Sequence, residues 1–87
     1  MVNIQPVQVF TNYGLKYAVK FNLDSINDNL ESFCIFQYQL CDVNEVPLYS
    51  GNLTINEPDY TLWNESSDIN QSAYIWATTE LGLTIIP

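Results

Sequence analysis

The side chains here that could carry out chemistry are carboxylates, tyrosines, tryptophans and two cysteines, because the sequence has no histidine. Without histidine, Ser-His-Asp and Cys-His nucleophile systems and histidine-ligated metals are excluded. Glu57 and Asp59 are close enough in sequence to form an acid–base pair. They flank Pro58 in a polar segment, where nothing obvious would raise a carboxyl pKa. We therefore expect both residues to lie in a solvated loop and predict no catalytic residue.

A second set of carboxylates could bind a metal. Asp24, Asp28 and Glu31 offer the oxygen ligands that calcium prefers. The spacing is not that of an EF-hand loop, because position 26 is isoleucine and no glycine follows. The three glycines of the chain are far apart, which excludes a glycine-rich phosphate loop. The sequence therefore predicts neither a metal nor a cofactor.

The two cysteines, Cys34 and Cys41, are seven residues apart. If they share one strand, they lie on opposite faces and about 23 Å apart. A disulfide needs Cα atoms within about 7 Å of each other, and two such thiols cannot build a four-ligand zinc site. We expect two free, mostly buried thiols, as is usual in a reducing compartment.

The aromatic pair Tyr60 and Trp63 could stack on a sugar or a base. The surrounding acidic residues argue against a base. A Tyr-x-x-Trp sequence after a strand more often forms a corner that plugs the edge of a sheet, with its polar tips hydrogen-bonded. We predict such a corner for Tyr60 and Trp63, and a core position for Trp76.

The composition predicts one domain, residues 1–87, with enough apolar side chains for a single core (47% hydrophobic residues). The net charge is −8, with only Lys16 and Lys20 basic. Such a surface should repel nucleic acid and anionic lipid, but attract a basic protein or one that normally binds DNA. No apolar run is long enough to span a bilayer, and the N-terminus lacks a leader-like segment, so we expect a cytosolic chain.

Alternating apolar residues predict the first two strands. Residues 15–23 alternate with a period of two, which indicates a half-buried strand whose exposed face carries both lysines and Ala18. Residues 11–14 form a turn signal, and residues 5–10 are the preceding strand. Because Pro6 lacks an N–H, that strand is expected at an edge. Residues 24–31 are rich in Asn, Asp and Ser, which favours a loop.

Two further strands follow. Residues 33–41 are the third strand, and residues 42–45 connect it to a fourth at residues 46–55. In the fourth strand the apolar positions change from even to odd numbers near Gly51. One extra residue has this effect, so a β-bulge or kink is predicted at Gly51.

A helix closes the chain. Asp68 is the predicted N-cap with Gln71 as its capping-box partner, and Gly82 supplies the left-handed position after Leu81. The apolar face of this helix comprises Ile69, Ala73, Trp76, Ala77 and Leu81. The apolar residues 84–86 are expected to add a short strand. The predicted fold is α+β, an antiparallel sheet or small sandwich of four to five strands with one C-terminal helix.

The last third of the chain resembles small proteins encoded by tailed bacteriophages. In those proteins a strand ending near Asp/Glu-Tyr-x-x-Trp is followed by a helix that closes in Leu-Gly-Leu. The residues that carry the resemblance are 51–55, 59–63, Asp68, Tyr74 and 81–83, together with the hairpin at 38–44. The likeness covers roughly residues 15–85.

The resemblance implies a non-enzymatic structural subunit of a virion, made in the host cytoplasm and placed in the capsid, neck, tail or baseplate. Its partners would be other virion proteins or copies of itself, with no nucleic acid, membrane or small-molecule substrate. An alternative is an acidic DNA-mimic inhibitor of a host nucleic-acid-binding protein. Mimicry needs carboxylates spaced like phosphates, about one charge per 1.7 Å of duplex axis. A small enzyme is the third alternative.

Overall fold

A computed structural model describes residues 1–86, which form a four-stranded antiparallel sheet followed by two helices. The strands pair in sequence order, so each is joined to the next by a hairpin or short turn. The elements are β1 Val2–Thr11, β2 Gly14–Asp28, β3 Phe33–Cys41, β4 Pro47–Asn56, α1 Asp59–Asn64 and α2 Ile69–Leu81. The fold is α+β, as the sequence predicts.

Strand β1 lies at an edge of the sheet, where proline is tolerated because its missing N–H has no ladder partner to lose. Its pairing with β2 shifts between Asn3 and Val7, around Pro6. After the shift, Val7 lies opposite Ala18. The tight turn at residues 12–13 ends at Gly14, whose φ of 100° favours glycine.

The shift in pairing corrects one prediction about β2. Ala18 is fully buried, although the alternation placed it on the exposed face. Leu15 and Tyr17, predicted to be on the buried face, are 44% and 52% exposed. Because Val7 pairs with Ala18 and Val9 lies two residues further on the same face, the buried side of this hairpin is the side of Ala18.

Strand β2 is longer than predicted, because the polar segment after Leu23 continues as a strand to Asp28. The extension pairs with β3 and contains a bulge at Ile26, which has no partner in the register. The loop that follows is only four residues long. In it the Asn29 side-chain oxygen accepts the N–H groups of Glu31, Ser32 and Phe33.

The bulge predicted at Gly51 is wrong. Pairing between β3 and β4 is continuous through Gly51, which lies opposite Tyr38. The extra residue is Leu48, which is skipped between the pairs made by Tyr49 and Pro47. At Gly51, a Cβ atom would lie 2.6 Å from the Tyr38 hydroxyl oxygen, so glycine is needed for the tyrosine ring to cross the strand.

Two helices follow the sheet. The predicted corner is the short helix α1, and α2 starts after Asp68, whose Oδ1 accepts the N–H of Gln71 at 3.0 Å. Gly82 follows α2 with a φ of 71°, and the next residue, Leu83, donates its N–H to the Thr78 carbonyl at 2.8 Å. No helix within residues 1–86 combines the length and apolar character needed to cross a membrane.

The helices pack on the face of the sheet that carries the large side chains of β2 and β3. Phe21 is fully buried and meets Tyr74 of α2 edge-on at 5.9 Å between ring centroids. A second cluster surrounds Phe36 and Ile55 near α1. The C-terminal residues return to the sheet, where Ile85 bridges to Ile4 and covers part of the β1 edge.

Candidate functional site

The carboxylates with possible calcium chemistry do not form a metal site. Within residues 1–86, no group of three or more His, Cys, Asp or Glu side chains is arranged to hold a metal ion. Asp24 and Glu31 are exposed, whereas Asp28 is partly buried and takes part in a different arrangement. That arrangement involves the aromatic residues of α1.

The aromatic residues of α1 and α2 pack around one β3 side chain, Phe36. The Trp63 ring meets Phe36 edge-on at 5.4 Å and Tyr60 at 5.6 Å, and Trp76 lies 6.1 Å from Phe36. The two Trp63 contacts are close to perpendicular, a geometry that aromatic pairs favour. This aromatic cluster fixes the position of α1 over the end of the sheet.

A hydrogen bond anchors the cluster to β2. The buried Tyr60 donates its hydroxyl to Asp28 Oδ1 at 2.7 Å. This hydrogen bond, together with burial, raises the pKa of Tyr60 to about 12, because losing the proton would place a phenolate beside the carboxylate. The Leu30 N–H donates to the same oxygen at 2.9 Å.

The two tryptophans also have hydrogen-bonded polar tips. Trp63 Nε1 donates to the Ile69 carbonyl at 2.8 Å, and Trp76 Nε1 donates to Asp59 Oδ2 at 3.3 Å. Glu57 accepts the Thr61 N–H at 2.8 Å. Glu57 and Asp59, which sequence reasoning weighed as an acid–base pair, therefore each accept a hydrogen bond that supports the helices.

A groove of about 200 Å³ opens between the end of β2 and the first turns of α2. Phe36, Trp63 and Ala73 supply its apolar lining, and Asp28 supplies a carboxylate. At one end, the Tyr74 hydroxyl accepts the Leu23 N–H at 3.1 Å and donates to Asn22 Oδ1 at 3.3 Å. We call this space the β2–α2 groove.

The β2–α2 groove was missed by sequence reasoning because its β2 wall lies in the segment interpreted as a loop. Asn, Asp and Ser are poor strand formers, and only pairing with β3 makes residues 24–28 extended. The one local signal is Ile26, an apolar residue within a polar run.

Exposed aromatic residues gather at the hairpin that joins β1 and β2. Phe10 and Tyr13 are 84% and 91% exposed, and the Phe10 strand partner Leu15 is also exposed. Tyr17 belongs to the same face and accepts a hydrogen bond from Gln8 Nε2 at 3.2 Å. We call Phe10, Tyr13, Leu15 and Tyr17 the aromatic arm.

Two residues of the aromatic arm, Phe10 and Tyr13, face the connection between β3 and β4. A cleft of about 520 Å³ separates them from that connection, lined on the far side by Asp42, Val46, Pro47 and Leu48. The sequence signal for this surface was present, since Phe10 and Tyr13 are large apolar residues on and beside a turn. In the sequence, this turn indicates only where one strand ends and the next begins.

The two thiols, Cys34 and Cys41, are free and buried, as the sequence predicts. Burial raises the pKa of each, with a further increase from Asp28 at Cys34 and from Asp42 and Glu45 at Cys41. A thiol with a raised pKa is mostly protonated near neutral pH and is a poor nucleophile. The arrangement indicates packing rather than reactivity.

The remaining predicted residues are distributed along the fold and do not form one site. Asp68 and Gln71 lie at the start of α2, and Leu81 and Gly82 at its end. Leu81 packs against the larger cluster around Phe21. Of the residues singled out in advance, only Tyr60, Trp63 and Trp76 come together, around Phe36.

Comparison with protein-family models, with curated proteins and with solved structures found no match. The fold itself defines the class, an α+β domain in which two helices cover one face of a four-stranded antiparallel meander. The aromatic arm and the β2–α2 groove are among the surface features that this fold leaves exposed.

Proposed function

We propose that this protein is a non-enzymatic structural subunit of a tailed-phage virion and acts through contacts with other virion proteins or with copies of itself. The observation that carries the proposal is the exposure of the aromatic arm. Four large apolar side chains stand together at one end of the sheet, and two of them are more than four-fifths exposed.

Clustered exposed apolar residues are uncommon on soluble monomers and are typical of interaction sites. Aromatic residues are enriched in the buried centres of interfaces, because each covers a large area at little cost in conformational entropy. In the aromatic arm, Phe10 and Leu15 are strand partners, so their side chains already form one surface. The arm therefore presents a contact surface held in place by the β1–β2 ladder.

The C-terminal tail, residues 84–86, is paired with β1 and is not a free contact element. Gln5 donates its N–H to the Thr84 carbonyl at 2.9 Å, and Ile86 donates to the Asn3 carbonyl at 2.9 Å. Through these hydrogen bonds, the tail covers the outer edge of β1. The proposed contacts are accordingly assigned to the aromatic arm at the opposite end of β1.

The proposal is tested by the protein content of purified particles and by the state of the isolated protein. We expect mass spectrometry to find the chain in virions, and light scattering to show self-association or a complex with a virion protein. Replacing Phe10 and Tyr13 by serine should abolish that association without unfolding the domain. The matched control is Leu62→Ser, which removes an apolar side chain that is 70% exposed on α1.

A stable monomer that is absent from particles would rule out the structural role. Association that is weakened as much by Leu62→Ser as by the double substitution would show that the aromatic arm is not the contact surface. Both measurements are informative because the replaced side chains are exposed and add little to the core.

One observation favours a second candidate, the acidic inhibitor of a nucleic-acid-binding protein. The ten carboxylates outnumber the two lysines, giving the net charge of −8. Eight of the ten are exposed, all except Asp28 and Asp42. Such a surface would attract a basic partner through long-range forces, so the two candidates differ in their dependence on salt.

A further inference from the structure

We propose that the β2–α2 groove binds an extended segment of a partner protein, which pairs with the free edge of β2 and places a lysine or arginine side chain against Asp28. This inference goes beyond the proposed function and does not depend on it. It concerns a surface at the other end of β2 from the aromatic arm, and it holds for any partner with such a segment.

Beyond Phe21, β2 has an open edge. Pairing with β1 runs only as far as Phe21, which lies opposite Val2, whereas pairing with β3 continues to Asp28. In an antiparallel ladder, alternate residues point their main-chain groups toward opposite neighbours. Leu23 directs its N–H away from β3, because that group donates to the Tyr74 hydroxyl.

The alternation then places the Leu23 carbonyl and both main-chain groups of Ser25 on the same open side. The bulge at Ile26 ends this free stretch. A row of unpaired N–H and C=O groups is the template for strand addition, in which main-chain bonds supply affinity and adjacent pockets supply specificity. The short length of the free stretch predicts a short paired segment in the partner.

A pocket lies beside this edge. Asp28 lines it, and both protein donors to that carboxylate, the Tyr60 hydroxyl and the Leu30 N–H, use Oδ1. Within residues 1–86, no hydrogen bond reaches Asp28 Oδ2, although an ionised carboxylate can accept at both oxygens. The pocket therefore contains a carboxylate that is held in place through Oδ1, while Oδ2 can accept a hydrogen bond from a ligand.

The walls favour a cation on an aliphatic stem. Trp63, which is only partly buried, provides aromatic surface in the same pocket as Asp28, suited to the methylene groups of lysine or arginine and to cation–π contact. A hydrogen bond from a charged donor to a carboxylate is roughly twice as strong as a neutral one. A basic side chain therefore fits both components of the pocket.

The basic side chain that occupies the pocket comes from a different protein. Lys16 and Lys20 are the only basic side chains of the chain, and both lie in the part of β2 that pairs with β1. A second copy carries the same net charge of −8, so the acidic surfaces of two copies repel each other. The acidic surface would attract a basic partner and speed its association, which favours a different protein as the occupant.

The test uses the full chain labelled with ¹⁵N and the short peptide acetyl-Thr-Val-Lys-Val-Thr-amide as the probe. We expect saturable shifts confined to the Ser25 amide, on the free edge, and the Trp63 indole N–H, beside the pocket. Replacing the peptide lysine by glutamine should weaken binding about tenfold or more, because the charge-assisted bond is lost. A peptide methylated at its backbone nitrogens should fail to bind, since it cannot pair with the edge of β2.

Variants of the protein separate the groove from general charge attraction. Asp28→Asn keeps an oxygen for Tyr60 but removes the charge, and should weaken the lysine peptide about tenfold. Asp24→Asn, the same change on the same strand at an exposed position, should alter binding no more than roughly twofold. If Asp28→Asn does not fold, the glutamine and methylated peptides decide the matter on the unchanged protein.

The inference is overturned if the lysine peptide does not bind, if its shifts map to the aromatic arm, or if the glutamine peptide binds equally well. It is also overturned if Asp24→Asn weakens binding as much as Asp28→Asn. None of these results depends on whether the chain is found in virions, so failure of this inference leaves the proposed structural role untouched.

Discussion

The Tyr60 hydroxyl donates to Asp28 Oδ1 over 2.7 Å and thereby joins the first turn of α1 to the last residue of β2. The hydrogen bond and the burial of the ring raise the pKa of Tyr60 from its usual value of 10.0 to about 12. The folded protein thus holds the phenolic proton more tightly than the unfolded chain. This difference links folding stability to pH in the alkaline range.

We predict that the free energy of unfolding falls between pH 10 and about 12. The contribution of Tyr60 is fully present below pH 10 and is lost as the pH rises through the folded-state pKa, because the unfolded chain releases the proton first. Cys34, Cys41 and Tyr38 also have raised pKa values and act in the same direction. Urea denaturation at a series of pH values measures how steeply the free energy of unfolding changes with pH.

The matched variant is Tyr60→Phe, which keeps the ring and removes the titrating group. Its stability should fall less steeply over the same range, because only the thiols and Tyr38 then contribute. Equal slopes for the two proteins would show that the Tyr60–Asp28 bond does not shift the tyrosine pKa.

Gly51→Ala is predicted to destabilise the protein. The added Cβ would lie 2.6 Å from the Tyr38 hydroxyl oxygen and 2.7 Å from its Cζ, and Tyr38 is only 9% exposed, so its ring has little room to move. Overpacking of this kind costs about 1–3 kcal/mol. Chemical denaturation measures the loss of stability. The control is Ser50→Ala, which makes a small change at an exposed neighbouring position of β4. A gain in stability on Gly51→Ala would contradict this packing.

The sequence predicted the architecture of this protein because its strands and turns follow local rules. Period-two alternation located most of β2 and β3, and the turn at residues 42–45 has a local cause. Asp42 Oδ1 accepts the N–H groups of Asn44 and Val46, each at 2.9 Å. Likewise, Asp68 and Gly82 define the ends of α2 through hydrogen bonds to residues that are close in sequence.

The features that could not be predicted depend on distant partners. Residues 24–28 are extended because they pair with β3, which overrides their loop preference. Gly51 suggested a bulge, but the reason for glycine is the ring of Tyr38 on the neighbouring strand. The β2–α2 groove depends on where α2 comes to lie, which no local pattern specifies.

Removal of either tryptophan tests the aromatic cluster around Phe36. Trp76→Ala is predicted to cost about 3 kcal/mol, the lower end of the range for such changes, because the side chain is only partly buried. Trp63→Ala should cost a similar amount, since Trp63 contacts both Phe36 and Tyr60. Denaturant melts of both variants measure the losses. If Trp63→Ala retains full stability but loses partner binding, Trp63 is a binding residue rather than a structural one.

The final prediction concerns salt and separates the structural subunit from the acidic inhibitor. Attraction between exposed charges is screened beyond about 8 Å at physiological ionic strength, and over shorter distances as salt increases. Contacts made by the aromatic arm depend on apolar burial, so assembly should survive about 0.5 M salt. Complex formation followed by light scattering across a salt series measures this.

The matched substitution replaces Asp24, Glu31 and Glu80 by their amides, since all three carboxylates are exposed. If the protein is a structural subunit, this triple change should leave assembly nearly intact, because exposed charges contribute only about 0–1 kcal/mol each. An inhibitor held by its acidic surface would instead lose its target, both in moderate salt and after the triple substitution. Collapse of the complex under either condition would therefore favour the acidic inhibitor, whereas persistence under both, with loss only on replacing Phe10 and Tyr13, would favour the aromatic arm.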